Sequence, residues 1–340
     1  MVATRKYSPV FMLKSAAPID RFQDATHRQK EAGGAAREWF LIVNPASGSG
    51  KGKRLQPKVE RAMRQAGIFG GVSVSRGPGD LARIAAEAIG LGHRRLALLG
   101  GDGTANEVLN GVFSQEEIPT TDIALGMLSV GTGNDWMRTI GMPKSLEEGI
   151  KALARGNTRL HDVGQVWYGA PEQKLRYFLN ITGAGFDGEV TRRVQGWKGW
   201  LAGRKLSYWV TIVRTLFDYK HTQVAIQLEG KEHQITALSL AVGICRYNGG
   251  GMMQLPEAAF DDGLLDVTVV GKMSTLEMVF RLPLMLDGSF TRLSSVHTFR
   301  TKELRIRSEP GIWLEADGEV LGCTPARVTC LQEAIWVVVP

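Results

Sequence analysis

Three buried strands in the first half of the chain each run straight into a glycine-rich loop, and this repetition constrains the fold most. Trp39-Phe40-Leu41-Ile42-Val43 stops at Asn44-Pro45-Ala46-Ser47-Gly48-Ser49-Gly50-Lys51-Gly52-Lys53. Leu96-Ala97-Leu98-Leu99 meets Gly100-Gly101-Asp102-Gly103-Thr104, and the run from Ile123 to Leu128 leads to Gly131-Thr132-Gly133-Asn134-Asp135. Short apolar runs bounded by turn residues read as buried strands. Helix-compatible stretches separate them, one through Met63, one over 81–91 and one around Val108-Leu109, with a further strand near Val72-Ser73-Val74. Strand, loop and helix in repetition predict a parallel sheet in an α/β domain, with ligands at the carboxyl ends of the strands. The glycines gather at those ends.

The first loop offers exposed amides followed by a helix, which makes an anion cradle. It is not a Walker loop, because Pro45 stands where the first glycine belongs and Gly52 where a hydroxyl should hold Mg²⁺. The second and third loops set amides beside a carboxylate. Neither completes a dinucleotide fingerprint, since Asn106 and Trp136 occupy the place of the last glycine. One such loop alone is most often a plain strand–helix turn. Three at successive strand ends, two of them with aspartate, point to phosphate chemistry.

Beyond about residue 157 the rhythm changes to alternating or β-branched runs at 161–168, 223–228, 235–243, 264–270, 303–307, 312–316 and 335–339. Two helical stretches, near 206–217 and 274–286, interrupt them. The expected organisation is an N-terminal extension over 1–37, an α/β nucleotide-binding domain over 38–156 and a mainly β sandwich domain over 157–340. The extension is expected to be poorly ordered.

Composition excludes several classes. With 44% hydrophobic and 22% charged residues the chain is not a disordered tail. No apolar run approaches the roughly 18 residues of a membrane span, and the basic N-terminal stretch lacks the apolar centre of a secretory signal. Three cysteines, Cys245, Cys323 and Cys330, lack metal-site spacing and read as free thiols in a reducing compartment. The net charge of +7 is concentrated. Residues 1–37 carry seven basic and three acidic side chains, and residues 192–220 carry seven basic against Asp218 alone. A uniformly basic nucleic-acid binder has a different pattern, so no nucleic-acid partner is expected.

Asn44-Pro45-Ala46-Ser47-Gly48, the run Gly100-Gly101-Asp102-Gly103-Thr104-Ala105-Asn106-Glu107-Val108-Leu109-Asn110-Gly111 and Gly131-Thr132-Gly133-Asn134-Asp135 together resemble the diacylglycerol kinase catalytic domain. Gly249-Gly250-Gly251-Met252, Asp261-Asp262-Gly263-Leu264-Leu265-Asp266-Val267 and Asp317-Gly318-Glu319 extend the resemblance to bacterial lipid kinases and the related sphingosine kinases, over about residues 38–340. NAD kinases and phosphofructokinases share the GGDGT block, which alone is not specific. The resemblance implies a parallel-sheet α/β nucleotide domain of NAD-kinase and phosphofructokinase type, a β sandwich domain and a cleft between them.

By position, the resemblance places ATP contacts on Asn44, Pro45, Ala46, Ser47, Gly48, Ser75, Gly101, Asp102, Gly103, Thr104, Ala105, Asn106, Glu107 and Thr132. It places the nucleotide's Mg²⁺ on Asp102, Asp162 and Asp317, partly through water, and the general base on Glu319. A separate structural Mg²⁺ falls on Asp262 and the Ala259 and Leu264 carbonyls. Ser75 keeps the hydroxyl of the family's usual threonine. Ser129 departs from a common proline, and Trp136-Met137 from Phe-Ala.

Phosphoryl transfer is mostly positioning and charge neutralisation, which suits cradling amides, Mg²⁺ and one base. Taken singly, Asp102 and Asp162 also suit caps, and Asp317-Gly318-Glu319 suits a hairpin turn. Residues 197–209 interleave tryptophans with basic side chains, which fits either a membrane-surface dock or, over 206–217, a core helix. The expectation is an ATP- and Mg²⁺-dependent lipid kinase, a cytoplasmic protein peripheral at the inner membrane face, whose acceptor is diacylglycerol and product phosphatidic acid. A homodimer is compatible with it. The alternatives are an NAD kinase-like enzyme and a catalytically silent nucleotide-binding module.

Overall fold

In the computed structural model, which describes residues 38–131, 133–169, 174–196 and 205–340, four parallel strands form the first part of the sheet and three of them carry the glycine loops. The expectations for residues 1–37, for Thr132 and for the basic tryptophan segment 197–204 lie outside the described residues, as do the side chains of 205–209. The first half runs β1 (Trp39–Val43), α1 (Ser47–Gln65), β2 (Phe69–Val74), α2 (Asp80–Gly90), β3 (Arg95–Gly100), α3 (Asp102–Ser114), β4 (Ala124–Ser129), α4 (Asp135–Thr139) and α5 (Leu146–Arg155). The lateral order is β2-β1-β3-β4, all parallel. The chain moves one way from β1 to β2 and the other way from β1 to β3. A crevice therefore opens beyond the carboxyl ends of β1 and β3, where α/β sheets bind their ligands.

The second half is built from β5 (Thr158–Tyr168), β6 (Lys174–Phe178), β7 (Ile181–Gly185), α6 (Phe186–Gln195), α7 (Lys205–Asp218), β8 (Thr222–Leu228), β9 (Lys231–Gly243), β10 (Tyr247–Asn248) and β11 (Met252–Met253). It continues with β12 (Leu265–Gly271), α8 (Thr275–Arg281), β13 (Val296–Thr301), β14 (Glu303–Ser308), β15 (Trp313–Ala316), β16 (Glu319–Cys323) and β17 (Ala326–Val338). These strands pair antiparallel through this half, as a β sandwich-like unit requires.

The last strand joins the halves. β17 pairs antiparallel with β14 and β5, then runs parallel to β4, with Trp336 and Val337 opposite Ala124 and Leu125. The chain thus returns to the first sheet as a strand. Its apolar residues Ile335, Val337 and Val338 are fully buried in the same core as Leu96, Leu98 and Leu125.

Two sequence expectations need correcting. The stretch 274–286 is not one helix: α8 ends at Arg281 and a 3-10 turn follows from Leu282 to Met285. Pro283 has no N–H to continue an α-helical ladder. Strands β6, β7, β13 and β16 and helix α6 were not expected, because they are short or interrupted by glycine. Among the described residues no helix is long and apolar enough to cross a membrane.

Helices α2 and α3 cross where Gly111 allows the closest approach. A Cβ added there would lie 2.2 Å from the Ala82 carbonyl oxygen, so backbone would have to move. Gly111→Ala should cost about 1–3 kcal/mol through overpacking. A thermal melt showing unchanged stability would contradict that tight crossing.

Candidate active site

Three loops meet at the crevice because their glycines permit contact between backbones. Gly48, Ser49 and Gly50 all have positive φ, at 61°, 58° and 85°, so the chain makes a left-handed turn before the regular part of α1. Such a run aims successive amides into a concave, anion-binding nest. A Cβ on Gly48 would sit 2.1 Å from the Val130 carbonyl oxygen, which shows how closely the first loop packs on the third. A Cβ on Gly131 would sit 3.1 Å from Gly101 Cα, so the second and third loops also touch.

Thr104 is the hub of the loop cluster. Its buried hydroxyl accepts from Asn44 Nδ2 at 3.0 Å, lies 3.3 Å from Ser47 Oγ and accepts the Gly101 amide at 3.4 Å. Asn44 in turn accepts the Ala46 amide at 3.2 Å, which fixes the Pro45-Ala46 turn. The structure therefore brings together Asn44 to Gly48 and Gly101 to Thr104. Ser75 stands at the end of the neighbouring β2 with its hydroxyl donating to the Gly77 carbonyl at 3.0 Å.

Ala105, Asn106 and Glu107 have structural partners. Ala105 and Asn106 are buried on α3, and Glu107 Oε1 accepts the Leu81 amide at 2.9 Å, capping α2. Asn106 Nδ2 donates to Asp317 Oδ2 at 2.8 Å and to the Tyr177 carbonyl at 3.0 Å, which ties α3 to the β half.

Below the loops lies a cavity of about 230 Å³. Asp102, Asp135, Asp187, Glu315 and Asp317 line it, with Gly249, Gly250 and Gly318. Asp102 accepts the amides of Asp135 and Trp136 at 3.2 and 3.3 Å, and burial raises its carboxyl above the usual range. Asp135 Oδ2 accepts the Gly250 amide at 2.7 Å, which gives the Gly249-Gly250-Gly251 turn a visible task. Each oxygen of Asp317 takes two donors. Oδ2 accepts Asn106 Nδ2 and the Leu179 amide, both at 2.8 Å; Oδ1 accepts the Asn180 and Ile181 amides at 3.0 and 3.2 Å. Burial still pushes it up to about 6. Glu319 is exposed at the rim, where Gln195 Nε2 donates to it at 3.3 Å.

Only part of the expected metal set fits. Asp102 faces the cavity and its two amide contacts are long, so it can still ligate a cation. Asp317 has no lone pair left for direct coordination. Asp162 is not grouped with them. It is fully buried and its oxygens accept the Gly263 and Glu333 amides at 2.6 and 2.8 Å, so it braces the loop before β12 against β17. The Asp262 carboxylate expected to hold the structural Mg²⁺ with Ala259 and Leu264 is engaged by protein groups. Asp262 Oδ2 pairs with the Arg300 guanidinium and Oδ1 accepts the Leu264 amide at 3.0 Å. Among the described residues no group of three or more His, Cys, Asp or Glu side chains is placed to hold a metal.

The departures at the third loop are structural. Trp136 is buried and donates Nε1–H to His161 Nε2 at 3.1 Å, while Met137 lies in the same core. Burial lowers His161 to about 4, which keeps it neutral. Ser129 donates to the Asn134 side chain.

Two cavity residues escaped the sequence reading. Asp187 accepts from Ser239 Oγ at 2.7 Å, and burial pushes it up to about 6. Glu315 is 1% exposed, its Oε2 accepts the Gly318 amide at 2.8 Å, and burial pushes it up to about 8. The signals were faint. Gly183-Ala184-Gly185 before α6 repeats the strand, glycine, helix pattern of the first half, and Glu315 stands two residues before Asp317 in sequence.

A family model for the diacylglycerol kinase catalytic domain matches residues 38–166, and one for the YegS C-terminal NAD kinase beta sandwich-like domain matches residues 180–339. A diacylglycerol kinase of Bacillus subtilis is 30% identical over 305 residues, covering 88% of this chain and 95% of that protein. One from Mycobacterium tuberculosis is 28% identical over 301 residues, covering 88% and 94%. A crystal structure of a candidate diacylglycerol kinase from Bacillus anthracis matches with a TM-score of 0.71 at 25% identity, over 89% of this chain and 97% of that one.

The raised Glu315 pKa predicts a pH effect on stability. The folded state keeps a proton that the unfolded chain releases near the ordinary carboxylate value, so stability falls as pH rises from about 5 towards 8. Asp187 and Asp317 act in the same direction and are present in both proteins compared. Wild type should lose more stability than Glu315→Gln between pH 5 and pH 8, read from urea midpoints. Equal losses would mean that the carboxyl is not held neutral.

Proposed function

The chain belongs to the diacylglycerol kinase family and is a lipid kinase, and within that family we propose that it transfers the γ-phosphoryl group of ATP to diacylglycerol, giving phosphatidic acid and ADP. The observation that carries this reading is the meeting of three glycine loops above a carboxyl-lined cavity, with Asp102 on the boundary and Glu319 at the rim. The loops supply amides for the phosphates, with Asn44, Ser47 and Thr104 holding their shape. Asp102 would hold Mg²⁺, which when bound offsets the phosphate charge; one carboxylate plus phosphate oxygens and water is an ordinary Mg²⁺ set.

Glu319 takes the proton of the acceptor hydroxyl as the oxygen attacks phosphorus. The Gly318 amide, fixed on Glu315, and the Asp317 carboxylate, fixed by four donors, keep the turn beneath it in place. The chain works as a cytoplasmic protein at the inner membrane face, where the basic tryptophan segment around Lys198, Arg204 and Lys205 docks on anionic lipid.

Glu319→Gln should keep the fold and nucleotide binding and lower turnover by about 10²-fold or more. Asp102→Asn should instead raise the Mg²⁺ concentration needed for half-maximal rate. Both are read by product formation from ATP with dioctanoylglycerol in detergent micelles, with NAD as the competing acceptor. Full activity in Glu319→Gln would move the base elsewhere, and phosphorylation of NAD in place of lipid would refute the acceptor assignment.

A further inference from the structure

Among the described residues, two buried side-chain oxygens lining the cavity beside Asp102, Asn180 Oδ1 and Glu315 Oε1, have no hydrogen-bond partner. Glu315 Oε1 is buried without a hydrogen-bond partner of good geometry, and the Asn248 side chain is near enough to the carboxyl to favour its ionised form slightly. The other oxygen is committed to the Gly318 amide. A buried carboxyl oxygen left unpaired is costly, and a ligand that pairs with it recovers that cost.

The surroundings define the ligand. Facing Glu315 are Asp187 from α6 and Asp317 from the turn after β15, with Gly183 of β7 opposite it in the ladder. A Cβ on Gly183 would lie 2.8 Å from both Glu315 Oε1 and Asp187 Cβ, so glycine there leaves the two acids facing a common space. Among the described residues, five carboxyl side chains line this cavity and no Lys, Arg or His does. Asp187 also lines a second, mostly apolar cavity of only about 30 Å³, walled by Phe186, Val190, Leu216 and Met252 together with Ser239 and Gln254. A ligand in the larger cavity meets carboxyls, with the mostly apolar wall beyond Asp187 beside them. That is the polarity of an uncharged amphiphile.

We propose that Glu315 and Asp187 form the subsite that reads the acceptor's headgroup, accepting an uncharged hydroxyl and excluding headgroups that carry negative charge. A hydroxyl is both donor and acceptor, so it satisfies Oε1 whether Glu315 is neutral or ionised. An anionic headgroup would bring like charge into a poorly solvated site. The proposal rests on the lipid-kinase reading above and adds to it the determinant of acceptor choice.

The test uses the full chain and its Glu315→Leu, Glu315→Gln and Asp187→Asn/Glu315→Gln variants, each checked by thermal melt. Kinetics are measured in micelles with dioctanoylglycerol as neutral acceptor and short-chain phosphatidylglycerol as anionic acceptor. Glu315→Leu should raise the KM for dioctanoylglycerol about tenfold, equivalent to about 1.4 kcal/mol, with the KM for ATP unchanged. Glu315→Gln, which keeps a donor and an acceptor, should restore it to within about threefold. The double variant should narrow the preference for neutral over anionic acceptor by about tenfold or more. A well-folded Glu315→Leu with both KM values unchanged and only kcat reduced would overturn the proposal, leaving Glu315 as a prop for the Asp317-Gly318 turn. If Glu315→Leu does not fold, an unaltered headgroup preference in the double variant overturns it. Wild type that phosphorylates neither lipid would overturn the lipid-kinase reading itself, a result distinct from either.

Discussion

The carboxylate of Asp317 is the joint on which the active cleft depends. It accepts one side-chain amide from α3, in the nucleotide half, and three successive backbone amides from residues 179–181, in the β half. Every lone pair is used, so the group is fixed in position and orientation. Losing it would strand Asn106 and three amides together, each unmet partner costing about 1–3 kcal/mol. Asp317 has φ of 48° and Gly318 of 84°, a left-handed pair that turns the chain back between β15 and β16. The geometry that saturates the carboxylate also sets Glu319 on the cavity rim.

The same cavity concentrates acids at a cost to stability. Burial raises Asp102, Asp187, Glu315 and Asp317, so the folded protein holds these groups less readily ionised than water would. Natural cores avoid such crowding. Its persistence next to a phosphate cradle suits a site that handles a cation, a hydroxyl proton and a transferring phosphoryl group within one small space. The Asp162 and Asp262 acids, by contrast, are answered by backbone amides and Arg300, and belong to the scaffold.

Much of this was legible in the sequence where local rules act. The three glycine loops, the parallel half and the β-rich half follow from strand runs ending in glycine and from the change of period after residue 157. What could not be read were properties set by distant partners. Asp162 looks like Asp102 in sequence, and only the amides of Gly263 and Glu333, 101 and 171 residues away, show that it braces a loop. Glu315 reads as an ordinary strand residue until β7 lies beside it with glycine at the facing position. Trp136 and Met137 depart from the family's Phe-Ala, and only the structure shows that they fill core, Trp136 bonded to His161.

The route of β17 limits how the cleft can work. One strand is hydrogen-bonded along its length to β14 and β5 and, at its end, to β4, so both halves share a continuous ladder. A wide hinge opening would have to break that ladder and the Asn106–Asp317 link together. Enzymes that cannot gain order by closing must hold it beforehand, in donors and carboxylates already aimed at the reacting groups. The backbone contacts among the three loops and the fourfold grip on Asp317 are such prior order. The freedom that remains lies in side chains at the rim, where Glu319 and Gln195 face solvent.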